Sequence, residues 1–176
     1  MSDQTFGGPE QLRVVVGVTL QQPENVVRQA ARFARLLQAV LVCAHVDRDS
    51  YVVAEHPDGS ISSRPIDPDR VDWEQPDFDE ELAARIRRLT EREQVQVELR
   101  ELAGDPAVAL SRLADVLQAE LLVVGARRSR LRSTLSEYFG GSVAAQMAHR
   151  QHRPVVLIPR PAGQHVTPPP WQRTGS

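Results

Sequence analysis

A chain of 176 residues, 41% hydrophobic and 25% charged, is the size of one globular domain, large enough to bury a core without disulfides or a structural metal. A single cysteine, Cys43, excludes an intramolecular disulfide and a Cys-rich zinc site, and a formal charge of -2 gives no global attraction to nucleic acid or to an anionic membrane. No apolar run approaches the ~20 residues of a membrane span, and Met1 to Glu10 lacks the basic start and apolar stretch of a signal peptide, so a soluble cytoplasmic protein is expected.

The predicted domain covers residues 12–159, after an N-terminal tail of residues 1–11. Its first element, Arg13 to Val18, is rich in valine and does not alternate, as expected of a strand covered on both faces. Pro23 suits a first helical turn, and Val26, Ala30, Phe33, Ala34 and Leu37 follow at helical spacing. Val40 to Val46 is a second buried strand, which completes a β-α-β unit. Residues 47–77 then form an acidic insertion. Tyr51 to Glu55 and Ile61 to Ile66 read as a hairpin around an Asp58-Gly59 turn, followed by a proline-rich solvated loop.

Helical spacing resumes at Phe78, Leu82, Ile86 and Leu89, and Val95 to Leu99 alternates as a third strand, with an extension to Leu102 open. Gly104-Asp105-Pro106 has the composition of a helix start, with Asp105 as cap and Pro106 in the first turn. Leu121 to Val124 is a fourth strand ending at Gly125. A basic loop and a helix through Val143 and Met147 lead to a fifth strand, Pro154 to Ile158. Residues 160–176, with Pro168, Pro169 and Pro170, read as a disordered tail.

Five strands joined by four crossovers predict a single doubly wound α/β domain: a parallel sheet with helices on both faces. Such sheets bind ligands beyond the carboxyl ends of their strands, where strand order reverses. That directs attention to the loops after Val18, Val46, Leu102 and Val124.

The sequence resembles the universal stress protein family over roughly Arg13 to Pro159. The resemblance is carried by Val14-Val-Val-Gly-Val18, by Gly104-Asp-Pro-Ala107, and by Leu121-Leu-Val-Val-Gly125 followed by Gly141-Ser142-Val143 and Pro154-Val-Val-Leu-Ile158. It implies a Rossmann-like fold of the adenine-nucleotide alpha-hydrolase-like type, a role in stress response, and a homodimer formed through the last strand. In the nucleotide-binding branch of the family, Gly125 would match the first glycine of the phosphate loop, and Gly141-Ser142 its end. Val46 matches the position whose backbone meets adenine. The resemblance thus implies a site for ATP or AMP at Val18, Thr19, Val46, Val124, Gly125, Arg127, Arg128, Gly141, Ser142 and Val143.

Three departures bear on that site. Arg128 stands where the second glycine would be, fifteen residues separate Gly125 from Gly141 where the family pattern has twelve, and Thr19 replaces a common acidic residue. Loss of a glycine forfeits a backbone conformation that only glycine reaches cheaply. Arg127, Arg128, Arg130 and Arg132, however, offer guanidinium groups suited to bidentate phosphate contacts. Thr134 and Glu137 have capping-box spacing, so the following helix starts either there or near Gly141.

Charge is unevenly spread: Asp47 to Leu82 carries a net -9, leaving +7 elsewhere, and all 21 basic residues are Arg. Three function classes stay open: a non-catalytic adenine-nucleotide module, an interaction protein with a degenerate site, and a weak ATPase. No nucleophile–base pair, Walker A or G-x-S-x-G pattern supports the third. His149 and His152 read as surface residues rather than metal ligands. His45 reads as a satisfied buried imidazole and Cys43 as a core residue. Ser133, Thr134 and Ser136 beside arginines are weak candidates for phosphorylation. The acidic insertion covers either the dimer interface or the mouth of the site.

Overall fold

A computed structural model describes residues 11–67, 69, 78–126 and 152–159. The predicted tails, except for residue 11, lie outside the described residues, as does most of the loop after the hairpin. The elements run β1 (Arg13–Gly17), α1 (Glu24–Leu37), β2 (Val40–Asp47), β3 (Ser50–Glu55), β4 (Ile61–Pro65), α2 (Glu80–Thr90), β5 (Val97–Ala103), α3 (Pro106–Val116), β6 (Leu121–Gly125) and β7 (Val155–Ile158). Five strands form one parallel sheet in the order β5-β2-β1-β6-β7, and β3-β4 is a separate antiparallel pair.

The absence of alternation in β1 follows from its central place. Val14 and Val16 face α1 and α2, packing with Leu41, Cys43, Ala30, Ala34 and Ile86, while Val15 packs on the opposite face with Val42, Leu122, Leu110 and Ala114. All three valines are fully buried. Small residues on α1 let the helix lie close to the sheet, and burial of this size on both faces is the main source of stability.

Helix ends differ in detail from expectation. Pro23 is the cap of α1 rather than its first turn, because its ψ of 137° is extended, and Glu24 supplies the favourable acid of that turn. Phe78 precedes α2. Asp79 caps that helix, its Oδ1 accepting from the Leu82 N–H at 2.7 Å. Asp105 caps α3 as expected, accepting from Ala107 and Val108 N–H, both at 3.0 Å. β5 starts two residues later than Val95 and runs on to Ala103, in register with β2 from Leu41↔Val97 to Asp47↔Ala103. Gln94, in a left-handed conformation with φ of 50°, closes a 3-10 turn just before it and delays the strand.

The insertion folds as a hairpin with a bulge at Val52/Ala54. Its turn is held by Asp58, whose Oδ1 accepts from the Ser60 N–H and hydroxyl, and by Gly59 at φ of 81°. A Cβ on Gly59 would meet Leu113 Cδ1 at 2.9 Å, so the tip lies directly on α3. Glu55 pairs with Arg112 of the same helix. Between hairpin and helix is a cleft of about 180 Å³ lined by Val52, Ile61, Leu102, Val108, Leu113 and Val116 among others. The hairpin therefore stands beside β5 and α3. It lies on the side of the sheet opposite to β7.

Candidate functional site

Strand order reverses between β1 and β6, which leave the sheet centre for α1 and for the basic loop. Their carboxyl ends therefore flank the crevice where this architecture places a ligand. The structure brings four predicted residues together there. Val18 is buried, its N–H donating to Ala44 O at 2.9 Å, and exposed Thr19 follows it. Val124 is buried one strand away, and Gly125 ends β6. Val46 sits at the end of β2, half-buried against the α3 side and opposite Leu102 of β5. Arg127, Arg128, Gly141, Ser142 and Val143 lie outside the described residues, as do Ser133, Thr134, Ser136 and His149.

Two residues of this crevice have no signature in the sequence. Gln22 folds back over the end of β1. Its Nε2 donates to Gly17 O at 3.1 Å, and its Oε1 accepts from the Thr19 N–H at 3.3 Å. Gly125 is held against it: a Cβ there would meet Gln22 Nε2 at 2.9 Å and Val26 Cγ2 at 3.0 Å. The glycine at the end of β6 thus lets the start of α1 approach the sheet. Arg85, on α2, donates to the carbonyls of Leu20 and Gln22, the latter at 2.8 Å, and clamps the β1–α1 loop from outside. In the first turn of α1, Asn25 Nδ2 donates to Pro159 O at 2.9 Å and ties the end of β7 to the same region.

A different polar pair closes the neighbouring strand ends. His45 and Glu101 are register partners on β2 and β5, with Nδ1 and Oε1 2.8 Å apart and Phe78 edge-on to the imidazole. The bond to Glu101 is the largest of the effects raising the His45 pKa above its ordinary value, opposed by burial and assisted by Asp47 and Asp79. Burial in turn pushes the Glu101 carboxyl up, against the pull of His45. The 2.8 Å contact between the two side chains favours the protonated imidazole. His45 is satisfied as expected, but half-buried rather than buried. Cys43 is fully buried, its thiol pushed up to about 12 by desolvation, and is inert. His152 is exposed. Among the described residues no group of three or more His, Cys, Asp or Glu is placed to hold a metal ion, and no helix is long and apolar enough to cross a membrane.

Among the described residues, the chemistry on offer at the crevice is hydrogen bonding. Backbone acceptor and donor groups lie at the end of β1, an open edge at Thr19, and a glycine whose missing side chain brings two elements together. Neutral groups of this kind recognise a ligand by pattern and shape.

Solved structures share this architecture. A universal stress protein from Archaeoglobus fulgidus is 21% identical, with 83% of this chain and 92% of that one covered and a TM-score of 0.57. A universal stress protein in complex with cAMP is 23% identical, with 84% and 95% covered and a TM-score of 0.57. The Archaeoglobus fulgidus protein in complex with dAMP is 21% identical, with 85% and 98% covered and a TM-score of 0.55. At such identities the likeness speaks for the fold. No curated protein sequence matches this chain. The family described as the universal stress protein family matches residues 12–159, the whole span from β1 to the end of β7, and the chain belongs to that family.

Proposed function

We propose that this chain is a non-catalytic module that binds an adenine nucleotide, ATP or AMP, and serves stress response by presenting a different surface when occupied. The observation that carries the reading is the convergence of Val18, Thr19, Val124 and Gly125 at the strand-order reversal, where the end of β1 offers a carbonyl and an N–H side by side. Relatives of the same fold hold cAMP and dAMP, which supports the adenine preference. In this reading the base lies against Val46 and the Val18–Thr19 backbone. Phosphates lie by Gly125, Arg127, Arg128, Gly141, Ser142 and Val143, where Arg supplies charge in place of a glycine cradle.

Isothermal titration of the folded protein with ATP, AMP and cyclic AMP is the test. Saturable heat at or below millimolar nucleotide is expected, and its absence overturns the reading. Phosphate release abolished by Arg128→Ala would overturn the non-catalytic part alone.

A second reading, a dimeric interaction protein whose ligand site has decayed, is favoured by the Thr19 substitution and by the Gln22 side chain lying in the crevice. Both readings include a cytoplasmic homodimer paired through β7, an edge strand of the sheet with Leu157 exposed. Sedimentation at micromolar protein should give the dimer mass, and a monomer would remove that part.

A further inference from the structure

The hairpin does not sit flush on α3. Val108, Ala109, Leu113 and Val116 of the helix line a cleft of about 180 Å³ beneath it, and Val52 and Ile61 line it from the hairpin. Leu102, near the end of β5, belongs to the same apolar wall. Val52, Val108 and Val116 stay 37%, 43% and 42% exposed, so one place on the surface leaves several large apolar side chains to water. None of Val18, Thr19, Val46, Val124 and Gly125 lines this cleft, which sets it apart from the strand-end crevice.

The polar groups around that wall are already engaged. Glu55 of the hairpin and Arg112 of the helix pair with each other. Asp105 Oδ1 accepts the Ala107 and Val108 N–H groups at the start of α3, both at 3.0 Å. Within the hairpin, His56 Nε2 lies 3.1 Å from Ser62 Oγ, and Ser60 Oγ donates to Asp58 Oδ1 at 2.7 Å. An ionic head group entering the cleft has to share or break one of these pairs, and a buried charge without a full partner is costly. The surface left to gain a contact is hydrocarbon.

Volume sets the size of the occupant. An apolar cavity of about 150 Å³ takes up benzene, whereas sites for drug-sized ligands run from about 300 Å³ upward. We propose that the cleft between the hairpin and α3 is a binding site for a small neutral apolar molecule, a single aromatic ring or a short aliphatic chain. The hydrophobic effect supplies its affinity, and the size of the cleft and the lack of a free charge on its wall supply its selectivity. An occupant touches hairpin and helix at once, so it stabilises the seating of the insertion. The proposal stands independently of the nucleotide reading.

Benzyl alcohol, benzoate and benzylamine are close in size and differ in charge, and titration of the isotope-labelled full chain with each is the experiment. Benzyl alcohol is expected to shift the backbone amides of Val52, Ile61, Val108 and Val116 saturably, with a dissociation constant of about 1 mM. Benzoate and benzylamine should each bind at least about tenfold more weakly. Val116→Phe, which enlarges a wall residue, should weaken benzyl alcohol by a similar factor, with a thermal melt to establish that it is folded. Should that variant not fold, the charge series on the wild type decides alone. Shifts that do not saturate, that fall only at residues 18, 19, 124 and 125, or that are equal for all three compounds overturn the proposal. Cleft amides that move with protein concentration alone mean that a second copy fills the cleft, which overturns it as well.

Discussion

Two neighbouring strand ends on the same rim of the sheet are finished in opposite ways. At β1 and β6 the side chain that closes the strand end is a neutral amide, Gln22 on Gly17 and Thr19, with the Arg85 guanidinium on main-chain carbonyls outside it. At β2 and β5 they are ionisable: His45 on Glu101, with Asp47 and Asp79 near and Phe78 beside the ring. Neutral hydrogen bonds can be exchanged for those of a ligand at small net cost, since each is worth only about 0.5–1.5 kcal/mol. A half-buried ion pair cannot be opened so cheaply, because either partner left alone keeps its desolvation penalty. The first strand end is closed by side-chain bonds that exchange readily, the second by a pair that holds.

This contrast is broken most severely at Gly125. Gly125→Val forces branched carbon into Gln22 and fully buried Val26, and should cost about 1–3 kcal/mol by overpacking, read as a lower melting temperature. If the melt is unchanged, the start of α1 is not held against β6 as described. Next in size is Arg85→Ala, which frees the carbonyls of Leu20 and Gln22. A loss of about 1 kcal/mol is expected, together with faster hydrogen exchange at residues 19–22 and little change at His45.

The pH response should separate the two rims. The folded-state value of His45 lies above the ordinary 6.5, so its stabilisation is complete below pH 6.5 and is lost as pH rises through the raised value. Chemical denaturation should therefore show stability falling on the alkaline side of neutrality. His45→Gln should flatten that slope, whereas Arg85→Ala should leave it intact. Smallest of all is the stability effect of Gln22→Ala, at most about 1 kcal/mol, because water can take over both backbone groups. A larger loss would mean that water does not take over those groups.

What the sequence made legible was whatever is local or periodic. The unalternating valines of β1 required cover on two faces, Asp105-Pro106 announced the start of α3, and Asp58-Gly59 announced the hairpin turn. Val18, Thr19, Val124 and Gly125 could be grouped because the family resemblance named them, and the strand order puts their loops side by side. Gln22 and Arg85 could not, since their roles depend on contacts such as that between Arg85 and Gln22, 63 residues apart. His45 and Glu101 meet only through the register of β2 on β5, and β5 begins later than its apolar alternation suggests. The place of the hairpin was illegible for a related reason: its acidity says that it is solvated, while Gly59 against Leu113 decides where it rests.

The seating of that hairpin has a consequence for how copies of the chain can associate. A parallel sheet has two rims of unpaired main chain, and a subunit open at both can add neighbours without limit. Here one rim, at β5, has an inserted structural element standing beside it and pinned to α3, while the other rim is β7. Contact restricted to one rim closes after two copies. In the proposed pairing through β7 the insertion would be a terminator of growth, a role set by which end of the strand order it flanks and indifferent to what, if anything, fills the crevice.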